Sequence, residues 1–146
     1  MCIYIIDLGS QYTHLISKRL RLLGYRSEII DQDFTASSLK NPKGLIISGG
    51  PGTNLSGLTD KIFATQLPIL GICLGHQLIS AHYGGAVEKK ANTEFGKSNL
   101  SQVKDSPMWE GVRQGSQIWM SHFDTVTNIP PDFDVCLLYT SAAADE

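Results

Sequence analysis

The sequence has no run of lysine or arginine: 12 basic residues are dispersed against 14 acidic ones, for a formal charge of −2. Nucleic-acid binding draws on clustered cations that neutralise phosphates, so no nucleic-acid or other polyanion partner is expected. Long apolar runs are also missing. Cys2–Ile6 and Leu67–Leu74 fall far short of the roughly 18 residues a membrane span needs, and the second is broken by Pro68 and Gly71. No membrane partner is expected. The N-terminal apolar run passes at once into Asp7, Gly9 and Ser10 without the charged segment and long apolar stretch of a signal peptide, so the expected location is cytoplasmic. Cysteine is scarce as well. Cys2, Cys73 and Cys136 are an odd number without a CxxC spacing, which argues against a disulfide framework and a Cys-rich zinc site. At least one thiol is free, and no metal site is expected.

What remains is 146 residues, 42% of them hydrophobic and 14 of them glycine, the arithmetic of one globular domain that buries roughly two thirds of its unfolded surface. Cys2–Ile6 is a continuous β-favouring run that suits a strand buried on both faces of a parallel sheet. Ser10 is placed to cap the helix that follows, whose Tyr12, Leu15, Ile16, Leu20 and Leu23 form one apolar face and whose stop is Gly24. That stripe is read as core. Arg26–Ile30 and Gly44–Ile47 predict second and third strands, 60–65 a short helix, Pro68–Ile72 a fourth buried strand and Gly75–Tyr83 a helix bearing Leu78, Ile79 and His82 on one face. This is α/β grammar. Beyond it, Ser98–Val103, Gln117–Met120 and Phe133–Tyr139 read as shorter strands of an antiparallel layer.

Chemistry is expected where the fourth strand meets its helix. Gly71-Ile72-Cys73-Leu74-Gly75 places small residues two before and two after a nucleophile, as a tight strand-turn-helix elbow requires. The amides and dipole of a helix N-terminus stabilise negative charge on sulfur, and the N–H of Leu74 is aimed where an oxyanion would form. Ser48-Gly49-Gly50-Pro51-Gly52 follows the neighbouring strand, and such a turn lets bare backbone N–H groups approach a ligand. Open parallel sheets put their sites at the carboxyl ends of strands. The competing reading of Cys73 is an ordinary buried core cysteine, and of the glycine turn, a plain loop.

Gly71-Ile-Cys-Leu-Gly-His-Gln77, with Ser48-Gly-Gly-Pro51 upstream, resembles the signature of class I glutamine amidotransferases. Asp7-Leu-Gly-Ser-Gln-Tyr12, Glu94-Phe-Gly-Lys97 and Trp119-Met-Ser-His-Phe-Asp124 are similar to the amidotransferase part of GMP synthetases more than to the anthranilate or carbamoyl-phosphate versions. The resemblance extends to about Tyr139. It implies an α/β three-layer sandwich with a largely parallel central sheet and a small antiparallel sheet, over a domain 1–146 that is incomplete at its C-terminus. It also implies that Cys73 attacks the side-chain amide of glutamine, releasing ammonia and leaving a glutamyl thioester for water to hydrolyse. Gly50 and Leu74 would supply the oxyanion N–H groups, Gln77 would line the glutamine pocket, and Ser121 and His122 would contact the α-amino and α-carboxylate groups through their main chain. The partner implied is a GMP synthetase ATP-pyrophosphatase domain or subunit, the one place where ATP and Mg²⁺ are expected; the cysteine domain itself needs no cofactor.

Two departures stand out. The family completes its triad with a His-x-Glu pair shortly after the strand that here reads Phe133–Tyr139, and no histidine follows His122. Without it, leaving-group protonation, worth roughly 10²- to 10⁴-fold, is lost, so impaired hydrolysis is expected. Phe123 stands where the family has glycine, beside the expected pocket. Of the other histidines, His76 lies in the first turn beyond Cys73 and is read as structural, His82 as packed, His14 as a surface residue; Trp109 and Trp119 are read as packing residues, and Asp7 as orienting the Gly9-Ser10 turn. The alternatives are a γ-glutamyl cysteine hydrolase and a non-catalytic glutamine-binding or regulatory subunit.

Overall fold

The β-branched segments near the N-terminus pair as parallel strands, in the order β2-β1-β3-β4, in the computed structural model of the chain. The structure describes residues 1–51, 55–102 and 104–141, and for 90–95, 102, 121–123, 140 and 141 only the path of the chain. The elements are β1 (Cys2–Ile6), α1 (Thr13–Leu22), β2 (Ser27–Ile30), β3 (Pro42–Ile47), α2 (Leu58–Phe63), β4 (Ile69–Gly71), α3 (Leu74–His82), β5 (Ala86–Gln102), β6 (Gln117–Asn128) and β7 (Leu137–Ser141). The chain divides into two compact units, Met1–Gly84 and Gly85–Glu146. No helix among the described residues is long and apolar enough to cross a membrane.

In the first unit the register Ile5↔Ile29, Ile5↔Ile46 and Ile46↔Leu70 puts those four residues on one face of the sheet. Alternation then sends Tyr4, Ile6, Leu45 and Ile47 to the other. That second face carries the main core, where Leu58 and Ile62 of α2 and Leu74, Leu78 and Ile79 of α3 pack against them. The first face is covered by α1: the Ser17 hydroxyl lies 3.0 Å from that of Ser27, and Ser27 is the register partner of Ile3. Helices therefore lie on both faces of a parallel sheet, as expected. β1 is buried on both sides, with Ile5 and Ile6 fully buried.

Three local expectations are corrected here. The helical stripe is the first: Tyr12, Leu15 and Leu23 are exposed, at 66%, 47% and 72%, while the buried positions of α1 are Thr13 and Ser17. Polar anchors set this rotation. The Thr13 hydroxyl donates to Asp7 Oδ1 at 2.9 Å and Ser17 meets Ser27, and a buried hydroxyl left without a partner costs about 1–3 kcal/mol, so the hydroxyl side turns inward. Second, Ser10 does not cap α1. Its Oγ accepts from Tyr12 N at 3.1 Å, ahead of a helix that begins at Thr13 without a side-chain cap. Third, β4 is an edge strand of three residues and not a buried one; Leu70 is 41% exposed.

The second unit is an antiparallel sheet of order β6-β5-β7. β5 runs from Ala86, much earlier than Ser98, and pairs with β6 from Ala86↔Asn128 to Asn99↔Gln117, with register shifts between Ala86 and Val87 and between Lys89 and Glu94. The last strand begins at Leu137, not Phe133. Trp119 is 73% exposed, with the Lys97 ammonium 5.6 Å from the centre of its ring, and so is not the packing residue expected.

Candidate active site

The elbow is made by backbone meeting backbone. A Cβ on Gly71 would stand 2.6 Å from the carbonyl of Gly75 and from the nitrogen of His76, and one on Gly75 would overlap the carbonyl oxygen of Ile47. No side chain fits between the end of β4 and the start of α3, so the chain reverses within one residue. That residue is Cys73. Its φ of 54° and ψ of −112° lie in the positive-φ region that L residues avoid, at a cost of about 1–3 kcal/mol. The turn is held by Ile72 N donating to Ile47 O at 3.0 Å, Gly75 N to Ile72 O at 3.0 Å and Gln77 N to Cys73 O at 3.1 Å. Cys73 is exposed, unlike the buried Cys2. The core-cysteine reading is thereby excluded.

The glycine turn lies against the same residue. A Cβ on Gly49 would be 3.2 Å from Cys73 Cβ and 3.7 Å from its Sγ, so bare backbone borders the thiol. Gly50 has φ 148°, and a Cβ there would overlap the Leu8 carbonyl. Among the described residues, the N–H groups of Gly50 and Leu74 donate to no protein acceptor. Two unspent donors on the two turns flanking a thiol can hold a developing oxyanion.

Buried polar groups brace the turns. Asp7 Oδ1 accepts from Gly9 N at 2.9 Å as well as from Thr13, the turn-orienting role expected of it. Ser48, fully buried, accepts from Leu8 N at 3.0 Å and donates to Gly49 O at 2.9 Å. Sequence reasoning took Ser48 only as part of a motif. The signal that could have found it is a hydroxyl between an apolar strand and Gly-Gly, since a serine buried at a strand end must find partners.

Gln77 stands one helical turn after Cys73 on α3. His76, in the first turn of that helix, loses part of its hydration to the surrounding chain, which lowers its pKa below the usual 6.5 and favours neutral imidazole. His82 stacks on Phe63 with centroids 4.0 Å apart, the packed residue expected. The side chains of Ser121, His122 and Phe123 lie outside the described residues; their backbone belongs to β6, where Ser121 pairs with Phe95 and His122 with Glu94. A cavity of about 480 Å³ lined by Asp7, Asp31, Gln32, Asp33, Ser56, Leu58 and Lys61 includes none of the elbow residues, and its three carboxylates disfavour an anionic intermediate.

A family model described as glutamine amidotransferase class-I matches residues 4–143. The chain belongs to that family. It is 44% identical over 137 residues to a GMP synthase (glutamine-hydrolyzing) of Campylobacter hominis and 42% identical over 139 residues to that of Bacillus cytotoxicus, alignments that cover 90% and 91% of this chain and 27% of each relative. The chain thus spans about a quarter of the length of these curated relatives. Among solved structures, a protein of Thermoplasma acidophilum described as one subunit of a GMP synthase superposes with a TM-score of 0.85 at 34% identity, over 97% of this chain and 73% of that one. A glutamine amidotransferase from Thermotoga maritima, with a TM-score of 0.70 at 19% identity over 94% of this chain and 66% of that one, shares the fold.

Proposed function

We propose that this chain is the glutamine-hydrolysing part of a GMP synthase. The observation that carries the reading is an exposed thiol on a positive-φ elbow, bordered by bare backbone with two N–H groups that donate to no acceptor among the described residues. Cys73 adds to the side-chain amide carbon of glutamine while Gly50 and Leu74 hold the oxyanion. The C–N bond then breaks, ammonia leaves, and water cleaves the thioester to glutamate, regenerating the thiol. Gln77, on the helix that follows Cys73, contacts the rest of the glutamine, and by the family resemblance the main chain of Ser121 and His122 would contact its α-amino and α-carboxylate groups. The relatives named GMP synthase agree with a synthase as the consumer of the ammonia; by the family resemblance that partner is an ATP-pyrophosphatase domain or subunit that activates xanthosine monophosphate with ATP and Mg²⁺. The free thiols agree with a cytoplasmic location.

A polypeptide of these 146 residues hydrolyses glutamine poorly in this reading, because no histidine follows His122 to protonate the departing ammonia. The second reading is a subunit that binds glutamine without turning it over. Labelling with the chloroketone analogue of glutamine separates the two. Fast modification of Cys73, slowed by glutamine, is the expected result; slow labelling at the rate of a free thiol overturns the catalytic reading. Glutamate release at the rate of relatives with an intact triad would refute the impairment.

A further inference from the structure

We propose that Ser48 is a positioning residue that sets which way the Gly49–Gly50 peptide faces, and so whether Cys73 meets an N–H donor or a carbonyl oxygen. The inference rests on the function proposed above and adds to it a residue that does not touch the substrate.

A Gly-Gly peptide is the least constrained in the chain. With no Cβ on either side, rotating its plane by half a turn costs little, and the two orientations have opposite chemistry. One offers the Gly50 N–H to the thiol side; the other offers the Gly49 carbonyl, whose partial negative charge would oppose an oxyanion. The structure contains no cis peptide among the described residues, and in a trans peptide C=O and N–H point in opposite directions. Whatever holds one aims the other. Ser48 holds the carbonyl, with its Oγ 2.9 Å from Gly49 O.

The direction of that bond is not free to reverse. A serine hydroxyl has one hydrogen and two lone pairs. Leu8 N, 3.0 Å away, can only donate, so it takes a lone pair and leaves the hydroxyl hydrogen for Gly49 O. Ser48 is itself fixed, because its backbone N donates to Ile6 O at 3.1 Å and its side chain is fully buried. The other end of the peptide is pinned by the close approach of Gly50 to the Leu8 carbonyl. Leu8 thus braces both Ser48 and Gly50, and the buried hydroxyl of Ser48 sets which way the peptide between Gly49 and Gly50 faces.

The test uses the full chain and two reagents for the same sulfur. L-Glutamate γ-(4-nitrophenyl) ester acylates Cys73: the C–S bond forms, the C–O bond breaks, and nitrophenolate leaves without needing a proton, so the burst of released nitrophenolate reads oxyanion stabilisation alone. Iodoacetamide alkylates the thiol by displacement at saturated carbon, with no oxyanion, and reads whether the elbow is formed. Ser48→Ala is expected to slow the burst about 10- to 10²-fold, below the roughly 10²- to 10³-fold ceiling for deleting an oxyanion donor outright, with alkylation within about twofold of wild type. Should the alanine variant not fold, Ser48→Cys, nearly isosteric but a weak donor, carries the same expectation. A burst at the wild-type rate in the variant overturns the proposal, and so does an equal fall in both reactions, since that marks a merely structural residue. Absence of any burst from the wild-type chain would instead sink the proposed function, and this inference with it.

Discussion

Gly75→Ala is the sharpest perturbation available to the fold around Cys73. In an unencumbered helix this change stabilises by about 1 kcal/mol, because alanine is the better helix former. Here the added methyl would overlap the Ile47 carbonyl oxygen and stand 2.8 Å from Ile47 Cβ. Neither can step aside. Ile47 is fully buried in the central strand, and its carbonyl accepts from Ile72 N at 3.0 Å. Relief therefore requires α3 to lift from the sheet, an overpacking cost near ~3 kcal/mol at the upper end of the usual range, together with about 1 kcal/mol for the weakened hydrogen bond. The net loss is about 3 kcal/mol after the helix gain. An unfolding entropy of roughly 2.1 cal/mol/K per residue turns this into a fall in Tm of about 10 °C. Calorimetry of both proteins measures it directly. Gly84→Ala is the control, since that glycine has φ 87° but no neighbour within 4 Å of an added Cβ, and it should lose only about 1 kcal/mol. A Gly75→Ala protein melting no lower than wild type, or no lower than Gly84→Ala, would refute the backbone-contact argument.

Leu23→Lys at the C-cap of α1 should change stability by no more than about 0.5 kcal/mol in denaturant titration, because Leu23 is 72% exposed; Ile62→Ala, at a fully buried position of α2, should cost about 2–5 kcal/mol, and equal costs would contradict the burial pattern described above. The lowered pKa of His76 means that the unfolded chain binds the proton more tightly than the folded one. The stability it contributes is present above the unfolded value of 6.5 and is lost as pH falls through the lower folded value. Melting across that window should therefore fall more steeply for wild type than for His76→Asn, and parallel profiles would dismiss the assignment.

The parallel sheet was legible because its signal is redundant. Cys2–Ile6 and Gly44–Ile47 are short β-favouring runs closed by turn residues, and a strand buried on both faces tolerates nothing else. The elbow was legible for a different reason: Gly71 and Gly75 mark where backbone must touch backbone, and a sequence can express that requirement in only one letter. α1 is harder to read because its apolar and hydroxyl residues compete for the same face. The periodicity of Tyr12, Leu15 and Leu23 is real, but Thr13 and Ser17 have named partners in Asp7 and Ser27, and no periodicity includes a partner from another element. The first half of β5 carries no such signal either, because Glu88, Lys89 and Lys90 form a charged run without alternation, and its pairing with β6 at Ala86–Lys89 depends on a partner that lies far along the chain.

The same contrast explains why the thiol can stay in its unfavourable conformation. Cys73 alone would relax to negative φ and gain about 1–3 kcal/mol, but relaxation would swing Leu74 and Gly75 away from Ile47. Leu74 packs on the core cluster with Leu78 and Ile79, and each buried apolar side chain of that size contributes about 1.5–3 kcal/mol. Undocking the start of α3 would therefore cost more than the strain it released. The conformation of Cys73 is thus a consequence of helix packing some residues away, stabilised by aliphatic contacts that have no chemical role. On this argument, trimming Leu78 to alanine should loosen the elbow as well as the core. Iodoacetamide would then find Cys73 in a mixture of conformations, and its alkylation would lose the single-exponential course expected of the wild-type thiol.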